Sequence, residues 1–204
     1  MIIGVVNQKG GTGKTTLAIN LADAFSRSAL RVLLLDADPQ QSVISWNGVK
    51  NNARFSIQAI GDDDISDIVH SARRSYDRII IDAPPSVTRV AESILSHSDQ
   101  VIVPIGPSPL DIWSSKGIVE LIRRTKSARK DLNVRMLICK TIVGTRLSKE
   151  ARNALQGFGI HLFRTQISQR IAFIEAMIAG RSVLDYAPES MAAQEILSLY
   201  DEIV

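Results

Sequence analysis

The sequence has very little cysteine and no long apolar segment, and both absences exclude functions. Cys139 is the only cysteine among 204 residues, so the chain lacks the thiols for an internal disulfide, a CxxC metal clip or an iron–sulfur cluster. No apolar run approaches the ~20 residues that span a bilayer, and the first residues lack the layout of a signal peptide. The three histidines are scattered without the spacing of metal ligands. We therefore expect a cytoplasmic protein.

Positive charge is concentrated in the second half of the chain. Residues 112–181 contain 14 Lys or Arg and four Asp or Glu, a net charge of +10. Residues 182–204 carry five acidic residues and no basic one. Solvated helix faces would account for such an excess, but a charge of this size also suits a polyanionic partner.

Short β-rich runs alternate with helical patterns along the whole chain. This alternation predicts stacked βα units, and hence one α/β domain over residues 1–204 with a mostly parallel sheet. The candidate strands are Ile2–Val6, Arg31–Leu35, Phe55–Ile60, Arg78–Ile81, Gln100–Ile105, Val134–Cys139 and His161–Arg164. A first helix carries Leu17, Leu21, Ala24 and Phe25 on one stripe. Later helices are expected to begin near Asp64, Ser86, Leu110, Ser148, Gln169 and Glu189. Because Met1 leads directly into the first strand, we expect no DNA-binding extension before it.

A glycine-rich loop with a lysine and two threonines lies between the first strand and the first helix. It reads NQKGGTGKTT, and this order of strand, loop and helix is typical of a phosphate-binding loop. Backbone N–H groups and the helix dipole of such a loop attract oxyanions. Lys14 would reach the β- and γ-phosphates, Thr15 would ligate Mg²⁺, and Thr16 would contact the α-phosphate. The predicted nucleotide-binding residues of the loop are Lys9, Gly10, Gly11, Thr12, Gly13, Lys14, Thr15 and Thr16.

Acidic residues follow two of the predicted strands. Asp36 and Asp38 belong to the segment LLLDADPQ, and Asp82 belongs to IIIDAPP. Since the carboxyl ends of neighbouring parallel strands converge on one edge of the sheet, these residues should lie near the phosphate site. A single aspartate at a strand end is often only a cap, but three of them in this order favour a site that binds Mg²⁺. Asp82 fits the role of holding Mg²⁺ through a water.

The loop departs from the common GxxxxGK[ST] pattern, because Gln8 stands at the position of the first glycine and a second lysine, Lys9, follows it. The resulting KGGxGKT resembles the deviant Walker A motif of the ParA/MinD ATPases, and the whole chain is similar to the small plasmid-partition members of that group. The resemblance implies ATP and Mg²⁺ as ligands and a twisted, mainly parallel sheet of about eight strands flanked by helices. It implies that Lys9 acts on the partner's phosphates in an ATP-sandwich homodimer. Asp38 is implied to orient the attacking water and, with Thr15 and Asp82, to belong to the metal site.

Two further segments carry the resemblance. VIVPIGPSPLDIWSS resembles the part of the family that borders the dimer interface, and FRTQISQRIAFIEAM resembles the loop near the base of the nucleotide. The second segment makes Ile167, Ser168 and Gln169 candidates for base contacts. Trp46 and Trp113 are expected to be packing residues rather than base stackers.

The resemblance also implies partners. The ATP-bound homodimer would bind double-stranded DNA without sequence preference, on the nucleoid and not on a membrane. A centromere-binding or cargo-adaptor protein would then stimulate hydrolysis. The acidic last 23 residues do not suit an amphipathic helix on anionic lipid. Candidate DNA contacts in the basic stretch are Arg146, Arg152, Arg164 and Arg170.

Segregation of plasmid or chromosomal DNA is the first functional hypothesis, and three alternatives stay open at this point. The same ATPase cycle would serve a protein cargo such as a microcompartment or a chemoreceptor cluster. A P-loop metabolic ligase would share the fold but would lack a lysine like Lys9 and the DxDP segment. A nucleotide-binding module without turnover is the third alternative, and the presence of Lys9, Asp38 and Asp82 argues against it.

Overall fold

In the computed structural model, helices cover both faces of one parallel β-sheet. The structure describes residues 1–60, 65–86 and 89–204. The strands are β1 (Ile2–Val5), β2 (Val32–Asp36), β3 (Ser56–Ala59), β4 (Arg78–Asp82), β5 (Gln100–Ile105), β6 (Asn133–Thr141), β7 (His161–Leu162) and β8 (Ile167–Ser168). The helices are α1 (Lys14–Arg27), α2 (Ser42–Lys50), α3 (Ile65–Ala72), α4 (Arg89–His97), α5 (Pro109–Ser114), α6 (Lys116–Ala128), α7 (Leu147–Gln156), α8 (Ile171–Ile178), α9 (Val183–Tyr186) and α10 (Met191–Ile203). The predicted α/β class and the sheet of about eight strands are confirmed.

The strand order brings the predicted site loops together. The sheet runs β3-β2-β4-β1-β5-β6-β7, with β8 paired to β6, and every strand pair in the described part of the chain is parallel. The carboxyl ends of the strands therefore share one edge of the sheet, where β1, β4 and β2 are neighbours. Asp82 is in register with Val5 on one side and with Asp36 on the other. The phosphate loop and the acidic residues consequently meet at the centre of this edge.

The apolar core has two halves, one on each face of the sheet. In β4, Ile79 and Ile81 pack in the half formed with α3, α4 and α6, whereas Ile80 packs in the half formed with α1 and α10. All three isoleucines are buried. A continuous apolar run is what a strand covered by helices on both faces requires.

The predicted elements are largely confirmed. All seven candidate strands are present, although β3 is shorter at both ends and β7 contains only His161 and Leu162. The expected helix starts are confirmed to within three residues, except that Asp64 lies outside the described residues and α3 is described from Ile65. The sequence patterns missed α2, α9 and β8, and they did not separate α5 from α6. No helix in the described ranges is long and apolar enough to cross a bilayer.

Candidate nucleotide-binding site

The loop between β1 and α1 has the backbone shape of an anion cradle. Gly11 and Gly13 have φ angles of 73° and 95°, in the left-handed region that glycine enters at little cost. Helix α1 starts at Lys14 with no side-chain cap from Gly13 and with no acidic residue in its first turn. The first N–H groups of α1 and its positive dipole end are thus directed at the loop, which suits a phosphate group.

Lys14 places a buried ammonium group in this cradle. The residue is 6% exposed, and its Nζ donates a hydrogen bond to the Lys9 carbonyl at 3.3 Å. Burial lowers the pKa of Lys14, while the nearby carboxylates of Asp82 and Asp38 oppose this shift. A cation that has lost much of its hydration binds phosphate oxygens strongly. The predicted role of Lys14 on the β- and γ-phosphates therefore fits its surroundings.

Asp82 and Thr15 form the acidic side of the cradle. Thr15 Oγ1 donates a hydrogen bond to Asp82 Oδ2 at 2.6 Å, and Asp82 is completely buried. Burial raises the pKa of Asp82 to about 7, although the hydrogen bond from Thr15 and the charge of Lys14 act in the opposite direction. The contacts with Thr15 and Lys14 thus do not fully offset the cost of burying the negative charge of Asp82.

This pair of residues fits a magnesium ion. Among the described residues, Asp82 Oδ1 is buried without a hydrogen-bond partner. No group of three or more His, Cys, Asp or Glu within residues 1–60, 65–86 and 89–204 is placed to hold a metal by itself. Mg²⁺ is commonly held by one or two carboxylates together with substrate phosphates, which matches a site with Thr15, Asp82 and few other ligands.

Asp36 and Asp38 lie next to each other but have different surroundings. The buried Asp36 carboxylate accepts backbone N–H groups from Asp38 at 3.2 Å, Val43 at 2.9 Å and Ile44 at 3.3 Å, so it fixes the turn into α2. Burial raises the pKa of Asp36 despite these hydrogen bonds. Asp38 is only half-buried, and its Oδ1 accepts the N–H of Gln40 at 2.9 Å. The structure therefore gives Asp36 a structural contact and leaves Asp38 as the more accessible carboxylate near Lys14 and Asp82.

A cavity of about 430 Å³ lies beside the loop, and it contains the predicted base contacts. Ile167, Ser168 and Gln169 line it opposite Thr16 and Leu17 of α1. The size is within the range of small-molecule sites, and the side chains around it are mainly apolar. Lining residues that the sequence did not single out include Cys139, Lys140, Phe173, Ile174 and Met177. The structure thus brings the three predicted residues next to the end of the phosphate loop.

The cavity wall is fixed by contacts between distant segments. The Gln169 N–H donates to the Thr141 carbonyl at 2.8 Å, and the Ser168 N–H donates to Glu195 Oε2 of α10 at 2.9 Å. Strand β6 bulges between Cys139 and Thr141, with Lys140 at a φ of 58°. No local sequence signal indicates either the bulge or the contact with α10.

Lys9 extends from the loop toward α5. Its Nζ forms an ion pair with Asp111 of α5, and its side chain is 37% exposed. The segment that contains α5 was expected to border a dimer interface, but the sequence did not single out Asp111. Trp113, on the same helix, is 61% exposed, so it does not pack in the core of this chain as expected. Trp46 is 6% exposed and stacks on Phe55, as a packing residue should.

The four arginines predicted to contact DNA are not equally accessible. Arg146 is exposed, and the Arg164 side chain is 92% exposed, with its Nε 3.9 Å from Glu202 Oε2. Arg152 donates to the carbonyls of Phe163 at 3.0 Å and Arg164 at 3.1 Å. Arg170 pairs with Glu195 at 2.7 Å. DNA contact by these residues stays a prediction, and the geometry favours Arg146 and Arg164.

Fold and site together define a class of protein. A parallel sheet with helices on both faces carries a GKTT loop after β1, a buried lysine in that loop, and a threonine bonded to an aspartate at the end of the neighbouring strand. These features are those of a P-loop nucleotide-binding protein. Residues 3–183 match the model of the CobQ/CobB/MinD/ParA nucleotide binding domain, and the chain belongs to this family.

Known relatives cover nearly the whole chain. Maintenance of carboxysome distribution protein A of Halothiobacillus neapolitanus is 25% identical, over 99% of this chain and 95% of that protein. The chromosome-partitioning ATPase Soj of Thermus thermophilus is 28% identical, over 99% of this chain and 94% of that protein. The structure of the septum site-determining protein MinD complexed with Mg-ADP from Pyrococcus horikoshii has a TM-score of 0.76 at 19% identity, covering 99% of this chain and 95% of that one. This last similarity shows the shared fold.

Proposed function

We propose that the chain is a ParA-type ATPase that forms an ATP-sandwich homodimer and, in that state, binds double-stranded DNA without sequence preference. A centromere-binding partner then stimulates hydrolysis, which releases the dimer from DNA, so that repeated cycles on the nucleoid segregate plasmid or chromosomal DNA. The observation that supports this proposal most strongly is the second lysine of the loop. Lys14 is buried in the cradle, whereas Lys9 is partly exposed at its rim.

The position of Lys9 suits action on a neighbouring molecule. A cation beside the transferred phosphoryl group stabilises the charge that develops there, as an arginine finger does. If that cation comes from the partner subunit, hydrolysis requires dimerisation. Lys9 is partly exposed and paired with Asp111, and it can exchange this ion pair for a contact with a phosphate of the partner.

Within one subunit, the geometry supports the remaining roles that we propose. Lys14 and the N–H groups at the start of α1 bind the phosphates, and Thr15 with Asp82 holds Mg²⁺. When bound, the ion neutralises phosphate charge. Asp38 orients the attacking water, because it is the accessible carboxylate close to Lys14. Ile167, Ser168 and Gln169 contact the base in the 430 Å³ cavity.

The DNA-binding step is supported by charge. The +10 net charge of residues 112–181 lies partly on exposed side chains such as Arg146 and Arg164. Contacts between such residues and phosphates give affinity that is independent of sequence and falls steeply with salt. A dimer makes twice as many of these contacts as a monomer. ATP therefore switches DNA binding on by causing dimerisation, and no further DNA-binding residue has to become exposed.

A second candidate is the same ATPase cycle acting on a protein cargo. It is supported by the relative from Halothiobacillus neapolitanus, whose name refers to the distribution of carboxysomes. In this version a cargo adaptor replaces the centromere-binding protein. Loss of the gene would then disturb the spacing of the cargo, whereas in the partition version it would reduce the retention of a plasmid or chromosome. A P-loop ligase and a binding module without turnover are less well supported, because neither needs Lys9 and Asp38.

DNA affinity measured in four nucleotide states tests the proposal. We expect tight binding with ATP or a non-hydrolysable ATP analogue and weak binding with ADP or without nucleotide. Phosphate release from ATP, measured in parallel, separates an ATPase from a binding module. Equal DNA affinity in the ADP and ATP states would refute the proposed cycle even if the protein hydrolysed ATP.

A further inference from the structure

Lys9 is held by a carboxylate 102 residues further along the same chain. Its Nζ contacts Asp111 Oδ1, while Asp111 Oδ2 accepts the Ser108 hydroxyl at 2.6 Å and the Ser108 N–H at 3.3 Å. The side chain of Asp111 is 18% exposed. Asp111 therefore does two things at once, because it caps α5 through Ser108 and binds the ammonium group of Lys9.

The start of the phosphate loop has a second contact with the same segment. Gln8 Nε2 donates a hydrogen bond to the Ser114 carbonyl at the end of α5. A Cβ on Gly117, in the first turn of α6, would lie 3.2 Å from Gln8 Cδ. Gln8 and Lys9, at the start of the loop, thus both contact α5.

The fold makes room for the Asp111 carboxylate. A Cβ on Gly106 would lie 2.6 Å from Asp111 Cγ, so any larger residue there would displace the carboxylate. Burial alone would raise the pKa of Asp111, but hydrogen bonds from Lys9 and Ser108 hold it below its ordinary value. The carboxylate is therefore charged near neutral pH and is an effective partner for Lys9.

We propose that Asp111 is a positioning residue that keeps Lys9 on its own subunit until the ATP-bound dimer forms. The inference rests on the proposed function, in which Lys9 acts on the phosphates of the partner. Each subunit must break its Lys9–Asp111 ion pair before Lys9 can move across. The pair consequently opposes dimerisation and raises the protein concentration at which the dimer appears.

Asp111→Asn is the variant that tests this role. Asparagine keeps the size of the side chain and an oxygen for the contact with Ser108, but it removes the charge that holds Lys9. Partly exposed ion pairs are weak, and two of them are broken per dimer. We therefore expect the dissociation constant of the Asp111→Asn dimer to be about five- to tenfold lower than that of the wild type. The measurement is sedimentation velocity of the full chain over a range of concentrations with Mg²⁺ and a non-hydrolysable ATP analogue. ADP affinity should not change.

Ser108→Ala is the matched control, because it removes the hydrogen bond that the Ser108 hydroxyl donates to the Asp111 carboxylate and the one it accepts from the Asp111 N–H, while leaving the ion pair in place. It should dimerise like the wild type, and a general loosening of α5 would weaken the dimer rather than tighten it. If Asp111→Asn does not fold, Asp111→Ser removes the same charge with less bulk against Gly106 and should give the same shift.

The possible results separate the two proposals. A wild-type dimer whose dissociation constant is unchanged or increased by Asp111→Asn would overturn the role of Asp111 and leave the proposed function intact. The same tightening by Ser108→Ala would also overturn it, since the effect would then belong to the cap of α5. Absence of an ATP-dependent dimer in the wild type would overturn the proposed function and this inference with it.

Discussion

Lys9 and Lys14 lie five residues apart in one loop but have different surroundings. Lys14 is 6% exposed, and burial lowers its pKa. The Lys9 side chain is 37% exposed and forms an ion pair with Asp111 on α5. Because the two ammonium groups have such different surroundings, we expect one to serve nucleotide binding and the other to serve dimer assembly.

Substitution of each lysine by alanine should separate nucleotide binding from assembly. Lys14→Ala removes the buried cation at the phosphates, so we expect ADP affinity to fall about 10- to 100-fold. Lys9→Ala should leave ADP affinity largely unchanged but abolish the ATP-dependent dimer and hydrolysis. Calorimetry with Mg-ADP and size-exclusion chromatography with ATP measure the two properties. An equal loss of ADP affinity in both variants would show that Lys9 serves only its own loop.

Asp38 should matter for chemistry and not for assembly. Asp38→Ala removes the accessible carboxylate near Lys14 and should slow phosphate release about 100-fold, the usual scale for a positioned acid–base group. The ATP-bound dimer should persist on size-exclusion chromatography with Mg²⁺. Asp201→Ala, which removes an exposed aspartate of α10, is the control. A monomeric Asp38→Ala protein would instead give Asp38 a structural role.

At the scale of elements, local sequence patterns predict the strands, loops and helices whose structure depends on neighbouring residues. The phosphate loop could be located because a strand, a glycine-rich loop and an amphipathic helix follow one another directly. Strand β8 could not, since its two residues are held by a bulge in β6 and by the Ser168 N–H on Glu195. Helix α2 starts after Gln41, at a φ of 49°, and is fixed by the buried carboxylate of Asp36. Such contacts depend on the folded chain and leave no periodic signal.

The same reason explains which parts of the site sequence reasoning missed. The loop residues and the three base-contact candidates sit in segments with recognisable patterns, and the structure places them around one cavity. Asp111 and Lys140 are not marked by a local pattern, although Asp111 lies in the segment that was expected to border a dimer interface. Their contacts arise from the topology of the sheet, which brings α5 and the end of β6 to the edge where the carboxyl ends of the strands and the phosphate loop lie.

Helix α10 should be needed to keep the shape of the 430 Å³ cavity that Ile167, Ser168 and Gln169 line. Glu195 accepts the Ser168 N–H and pairs with Arg170, so Glu195→Ala leaves one partly buried donor and one cation without their partner. We expect a loss of about 2 kcal/mol in the free energy of unfolding, and weaker ADP binding. Urea unfolding and calorimetry measure these changes. Glu189→Ala, at an exposed position just before α10, should change neither the free energy of unfolding nor the ADP affinity. A Glu195→Ala protein with normal ADP affinity would show that nucleotide binding does not depend on the contact with α10.

At the scale of the whole molecule, part of the positive charge is neutralised internally. Arg170 pairs with Glu195, Arg129 pairs with Asp131 at 2.8 Å, and Arg124 lies 3.4 Å from Glu92. On the acidic C-terminal helix, Glu195 pairs with Arg170 and Glu202 lies 3.9 Å from the exposed Arg164. The surface that could bind DNA is smaller than the net charge suggests, and it is centred on side chains such as Arg146 and Arg164.

Salt dependence of DNA binding should identify these contacts. Arg146→Ala and Arg164→Ala should weaken the ATP-state affinity for all duplexes to a similar extent. The slope of log affinity against log salt should become shallower by about one unit for each DNA phosphate that the variant can no longer bind. Arg74→Ala, at an exposed position after α3, removes the same charge and should have little effect. Affinity that is insensitive to salt, or variants that affect only one DNA sequence, would rule out binding through phosphates.

The central claim is that ATP joins two copies of this chain, and their mass in solution tests it most directly. One chain has a mass of 22.4 kDa. Light scattering coupled to size-exclusion chromatography should give this mass with Mg-ADP and twice this mass with Mg²⁺ and a non-hydrolysable ATP analogue. Introducing Lys9→Ala should return the second value to that of the monomer. A wild-type protein that has the same mass in both nucleotide states would contradict the account.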